Sequence, residues 1–201
     1  MGVSVRQAAL AIAAALCLAA LGLALLLHRD DGSETYAGFN GTPLRPPKAA
    51  ADFTLTDGSG RAARVLDGTK PLEFLFFGYT HCPDECPLAL ASLGRAYRSL
   101  PLGQRAHVRV VFVTVDPAHD TPAVVQRYVA GFDPHFIGLT GSSATLRPVW
   151  AAYGVTIDAR TKEIGHGDAI YAIDATQHVI LVYPPDAQAT SLAADAEKLA
   201  G

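Results

Sequence analysis

Two dense apolar runs, Pro71–Phe77 and Val108–Val115, constrain the fold of this chain more than any other feature. Runs of that length without polar alternation suit strands buried on both faces, so layers must cover the sheet above and below. Between them, Leu88, Leu90, Leu93 and Tyr97 repeat at helical spacing from Pro87 to Leu100, with Pro87 in the first turn. Further on, Asp120 or Thr121 caps a helix from Pro122 to Ala130, and Phe136–Leu139 reads as a short strand. Ser142 or Ser143 caps a helix reaching Tyr153. Ala169–Ile173 and Val179–Tyr183 form a hairpin-like pair, and Thr190–Leu199 is a last helix. A short hairpin at Phe53–Thr56, turned by Asp57–Gly60, opens the domain. Strands alternating with helices and closed by an antiparallel pair define an α/β layered sheet.

The junction between the first buried strand and its helix holds Gly78-Tyr79-Thr80-His81-Cys82-Pro83-Asp84-Glu85-Cys86-Pro87. Thioredoxin-like folds carry their thiol pair at this place, which narrows the fold class to a thioredoxin-like central sheet flanked by helices. Thioredoxin-type pairs are separated by two residues. Here three residues separate Cys82 from Cys86, a wider loop that can present both sulfurs outward to one ion. Thiolates favour Cu(I), with zinc the ordinary competitor. A structural zinc wants four ligands, and only two sulfurs are at hand, so any metal needs a partner from elsewhere. Methionine cannot supply it, because the only one is Met1. A structural disulfide is the blander alternative, but a loop this short constrains the unfolded chain little. From spacing alone, metal binding and thiol redox chemistry both remain open.

Six histidines follow His28. His107 and His178 border strands, and His135 sits in a connection where a structural role is the simpler reading. His119, at the end of the second buried strand, could approach the thiols. His81 precedes Cys82 and can tune it as a neighbouring cation or donor. His166 stands between Gly165 and Gly167, which leaves the backbone free to bring its imidazole against another loop.

Ala8–Leu27 is an unbroken apolar run of 20 residues. As a helix it spans about 30 Å, the thickness of a bilayer core. No small-residue cleavage site follows it, and the expectation is one uncleaved N-terminal transmembrane helix within residues 1–28. Arg6 before it, and Arg29 followed by Asp30 and Asp31 after it, favour a cytoplasmic N-terminus. The rest then lies on the far side of the cytoplasmic membrane, in the periplasm or its equivalent. Residues 29–50, rich in Gly, Pro and polar side chains, read as a flexible tether, and residues 51–201 as one domain. A net charge of −3 without any basic run gives no sign of nucleic-acid binding.

The stretch Phe76–Pro87 resembles the signature of the Sco/SenC family. The resemblance continues through Val113-Thr114-Val115-Asp116-Pro117, Asp120-Thr121-Pro122, Gly138–Gly141 and Tyr153-Gly154-Val155, and ends with His166, Tyr171 and Asp174. It implies a membrane-anchored, thioredoxin-like metallochaperone rather than an enzyme. Such a protein binds one copper, as Cu(I) or Cu(II), and serves assembly of the dinuclear copper centre of cytochrome c oxidase. Carried over by position, the ligands are Cys82, Cys86 and His166. The implied partners are the copper-bearing oxidase subunit, a periplasmic copper donor and a thiol reductant. The alternative is a membrane-anchored thiol–disulfide oxidoreductase, or a peroxidase-like enzyme, using Cys82 and Cys86. In one respect the chain departs from the family: Gly165-His166-Gly167 replaces the usual Asp-His-Ser, removing a carboxylate that would orient the imidazole. The usual glycine after the Asp174 position is also absent, with Thr176-Gln177 in the turn.

Overall fold

The computed structural model describes residue 36 and residues 38–157, 164–166 and 169–201. The expected membrane helix lies outside them. Among the described residues no helix is long and apolar enough to cross a membrane.

Both dense runs are strands with every residue buried, β4 (Leu72–Gly78) and β5 (Val108–Thr114). They pair in parallel from Leu72↔Val108 to Gly78↔Thr114, and β6 (Ile137–Thr140) continues the parallel set beside β5. Around this centre the other strands run antiparallel: β9 (Ile170–Asp174) beside β4, then β10 (His178–Tyr183) and β1 (Thr42–Ala49). On the other flank, β2 (Thr54–Asp57) pairs with β6 and β3 (Ala62–Arg64) with β2. The sheet order is β1-β10-β9-β4-β5-β6-β2-β3. A separate two-stranded ribbon joins β7 (Thr156–Ile157) to β8 (Ile164–His166).

Helix α1 (Glu85–Ser99) follows the cysteine loop, and the short α2 (Leu102–Arg105) leads into β5. Helix α3 (Pro122–Ala130) packs on β6, α4 (Ser143–Ala152) precedes β7, and α5 (Ala189–Leu199) packs beside α1. The core is aromatic and aliphatic: Phe76, Phe77, Phe112, Leu90, Leu93 and Leu139 are all essentially inaccessible. Each such side chain contributes about 1.5–3 kcal/mol by leaving water.

Two sequence expectations need correction. The stretch read as a tether to residue 50 is ordered from Asn40 onward, because its second half forms β1. The amides of Asn40 and Gly41 donate to the buried Asp195 carboxylate at 2.8 and 2.9 Å, and the Tyr183 hydroxyl donates to it at 2.8 Å. Pro43, Pro46 and Pro47 disguise the strand, yet proline is tolerated at a sheet edge, where a missing N–H breaks no inner ladder. Helix α1 also begins two residues before the expected Pro87, which puts Cys86 inside its first turn.

Candidate metal and thiol site

The register Gly78↔Thr114 brings the loops after β4 and β5 out at the same end of the sheet. The first loop carries His81 and Cys82, and the second carries Asp116 and His119. A buried carboxylate joins them. Asp120, fully buried, accepts the Thr80 hydroxyl at 2.5 Å and the Thr80 amide at 3.2 Å, and it also accepts the Thr114 hydroxyl. Asp120 therefore fixes the chain two residues before Cys82 to the end of β5. The sequence offered Asp120 or Thr121 as the cap of α3. The structure makes Thr121 the capping position, without a side-chain capping bond, and gives Asp120 this cross-loop role instead.

The two cysteines are both free and are not equivalent. Cys82 is half-buried, and its Sγ accepts the Cys86 backbone N–H from the first turn of α1 at 3.5 Å. Cys86 is 2% exposed and faces inward, whereas the sequence reading presented both sulfurs outward. A Cβ placed on Gly78 would lie 2.7 Å from Cys86 Sγ and 2.7 Å from the Phe112 ring, so the glycine is the space the sulfur occupies. Burial pushes the Cys86 thiol well above the usual thiol range. A soft ion binding there must displace that proton and gains a dry, sulfur-lined wall in return. Tyr128 contributes a buried hydroxyl with no hydrogen-bond partner, and burial, then the nearby sulfurs, push it above its ordinary pKa. An orphaned donor beside two thiols fits a site whose sulfurs carry negative charge once an ion is bound.

Of the histidines, His81 and His119 meet at this end of the sheet. Their rings stand 5.3 Å apart, and Asp116 Oδ2 lies 2.7 Å from His119 Nδ1 and 3.5 Å from His81 Nε2. His135 pairs with Asp133 at 2.9 Å, as a loop residue should. His107 bonds the Ala200 carbonyl, and His178 lies near the Thr176 carbonyl. For His166 the structure gives the backbone, opposite Thr156 in the β7–β8 ribbon, while its side chain lies outside what is described. The neighbouring Ile157 lines a groove of about 490 Å³ shared with Val115, Asp116, Arg147 and Trp150. The ribbon bearing His166 thus borders the loop that follows β5.

The SCO1/SenC sequence profile matches residues 42–201. The chain belongs to the SCO1/SenC family. A mitochondrial SCO2 homolog of Bos taurus is 38% identical over 134 residues, covering 66% of this chain and 49% of its own. The chain spans about half the length of the curated relatives it matches. Among solved structures, apo Sco1 of Thermus thermophilus superposes with a TM-score of 0.70 at 34% identity, over 80% of this chain and 96% of that one. ScoI of Bradyrhizobium japonicum, solved with copper bound, gives 0.63 at 30% identity, over 75% and 98%. These superpositions bear out the thioredoxin-like α/β fold expected from the sequence.

Proposed function

We propose that this protein is a copper metallochaperone whose cargo is one copper ion held by Cys82, Cys86 and His166. The observation that carries the reading is the pair of free thiols around the first turn of α1 in a SCO1/SenC chain. The copper-bound state of the ScoI relative supports copper as the ion. The donor set agrees: two thiolates suit Cu(I), and an added imidazole lets the site tolerate Cu(II). Gly78, Phe112 and Tyr128 shape the inner wall, Asp120 holds the loop, and the more accessible Cys82 is the sulfur from which a partner takes the ion by ligand exchange. The receiving partner in this reading is the copper-bearing subunit of cytochrome c oxidase, supplied by a periplasmic donor. The apolar run of residues 8–27 anchors the domain on the extracytoplasmic face of the membrane. A thiol reductant keeps the pair open, because a Cys82–Cys86 disulfide would abolish binding.

Anaerobic Cu(I) titration of the reduced full chain in detergent tests this. One tight copper per chain is expected. It is lost in Cys82→Ser and in Cys86→Ser, and weakened in His166→Ala with an altered Cu(II) spectrum. Wild-type affinity in either cysteine variant would sink the proposal. A second reading, thiol–disulfide oxidoreductase, draws on the helix-terminal N–H directed at Cys82 Sγ. It predicts turnover with protein disulfides that His166→Ala leaves unchanged.

A further inference from the structure

We propose that His81, Asp116 and His119 form a second metal site, distinct from the thiol pair, for a divalent ion that prefers nitrogen and oxygen ligands, Cu(II) above others. One ligand atom from each of the three residues can be chosen so that all lie within 4.8 Å of one another. Ligands held about 2.0–2.1 Å from a tetrahedral ion stand roughly 3.3 Å apart, and neighbouring ligands in a square plane about 2.9 Å apart. The Asp116 Oδ2 separations of 2.7 and 3.5 Å from the two imidazoles bracket those values. Small turns of two exposed rings would complete the site.

The surroundings favour a site over a chance approach. Asp116 is the fixed member: its side chain is 10% exposed and its amide donates to Thr114 Oγ1 at 2.9 Å. The amides of His119 and Asp120 both donate to its carbonyl, closing the loop into a tight turn. Tyr79 packs against the His81 ring with centroids 4.7 Å apart and limits how it turns. The imidazoles are 52% and 72% exposed, which leaves open positions for water or for a ligand from a partner. His135 shows what an ordinary histidine–aspartate pair looks like here. Its Asp133 carboxylate has Arg98 as its other side-chain partner, and the neighbouring ring is Tyr97. Among the described residues only the first cluster gathers three ligating side chains. Imidazole and carboxylate donors take Zn(II), Ni(II) and Cu(II), and affinity for such a set peaks at Cu(II).

This site does not depend on copper binding at the thiols, so its test removes them. The full chain carrying Cys82→Ser, Cys86→Ser and His166→Ala is titrated with Cu(II) and followed by electron paramagnetic resonance. One equivalent with nitrogen hyperfine structure is expected. Adding His119→Ala or His81→Ala should weaken binding at least about tenfold, while adding His135→Ala changes nothing. Equal affinity with and without His119, or an equal loss on removing His135, would overturn the proposal. Both histidines are exposed, so these variants should fold. A second measurement needs no further substitution. On adding one equivalent of Zn(II) to the triple variant, the ring resonances of His81 and His119 should shift together, and a shift of only one would refute the shared site. Failure of the thiol titration alone leaves these outcomes untouched.

Discussion

At the Leu72–Val108 end of the β4–β5 pair, Glu73 and Arg109 stand in register and form a buried ion pair. Arg109 Nη1 and Nη2 also donate to the Val65 carbonyl at 2.5 Å and the Arg64 carbonyl at 2.9 Å, while its Nε makes no hydrogen bond and faces Asp67 Oδ2 at 3.4 Å. At the Gly78–Thr114 end the same two strands open onto free thiols, an orphaned tyrosine hydroxyl and two exposed imidazoles that share one carboxylate. One end pairs its charges internally, and the other leaves thiols and imidazoles available. The contrast separates what holds the sheet together from what the protein offers to an ion, and each claim can be tested without disturbing the other.

The largest expected effect is at the closed end. Glu73→Ala removes the acid that accepts from the buried Arg109 guanidinium, leaving a charged donor unsatisfied, and should cost about 3 kcal/mol near pH 5, with metal binding by the folded fraction unchanged. Burial pushes the Glu73 carboxyl up from 4.5 to about 7, against the pull of Arg109. Its folded form thus holds a proton that the unfolded chain has released between about pH 4.5 and 7, so this group's contribution to stability falls as pH rises through that window. The gap between wild type and Glu73→Ala should narrow from pH 5 to pH 8. Chemical denaturation at both values measures it, and a gap that widens would contradict the assignment.

Next comes the open end. Gly78→Ala forces a methyl into the space of Cys86 Sγ and the Phe112 ring, an overpacking worth about 1–3 kcal/mol. Unlike Glu73→Ala, it should also weaken copper binding, because the sulfur it displaces is a proposed ligand. Copper titration beside thermal unfolding distinguishes the two ends. If Gly78→Ala lost stability but kept wild-type affinity, the packing of Cys86 would be irrelevant to the ion.

The division between the ends was only partly visible in the sequence. Composition marked both strands as buried, because Leu, Val and Phe dominate them, and it placed the thiols at a strand–helix junction. It did not show that the second residue of β4 and the second residue of β5 are opposite charges meeting in register. Glu73 and Arg109 are 36 residues apart, and only the parallel alignment joins them. The same holds for Asp120. Asp-Thr-Pro is a strong local helix-start signal, and nothing nearby announces partners at Thr80, 40 residues away. His119 with Asp116 is a contact three residues apart that sequence can suggest, whereas the arrival of His81 depends on the two loops leaving the sheet side by side. Prolines concealed β1, since an edge strand tolerates what a central one cannot. His166 was singled out through family resemblance and the glycines around it, not from any fold pattern, and its side chain lies outside the described residues.

A smaller effect probes the orphaned hydroxyl. Tyr128→Phe removes a buried donor that lacks a partner, so the copper-free protein should lose less than about 1 kcal/mol or gain slightly. If the hydroxyl serves sulfurs that carry charge in the bound state, the same variant should release copper more readily. Equal copper affinity in Tyr128→Phe and wild type would make the hydroxyl a packing remnant and leave the thiols to define the open end alone.

The smallest effect returns to the closed end, where one residue is not at ease. In the β9–β10 turn, Gln177 adopts φ 60°, among described residues the one non-glycine in the left-handed region. The turn is fixed around it: Asp174 Oδ1 accepts the Thr176 and His178 amides at 3.0 and 2.9 Å, and the Ala50 amide donates to the Gln177 carbonyl at 2.8 Å. A side chain in that conformation costs roughly 1–2 kcal/mol that glycine avoids, partly offset by the greater freedom glycine has when unfolded. Gln177→Gly should therefore stabilise the protein by about 0.5–1 kcal/mol. Because Asp174 pairs with Leu72, this turn lies at the far end of β4 from the thiols. The gain should come with unchanged metal affinity, measured by the same titration. A gain in stability that altered copper binding would mean that the two ends communicate through β4, and that the separation between the structural and the ion-binding ends of the strand does not hold.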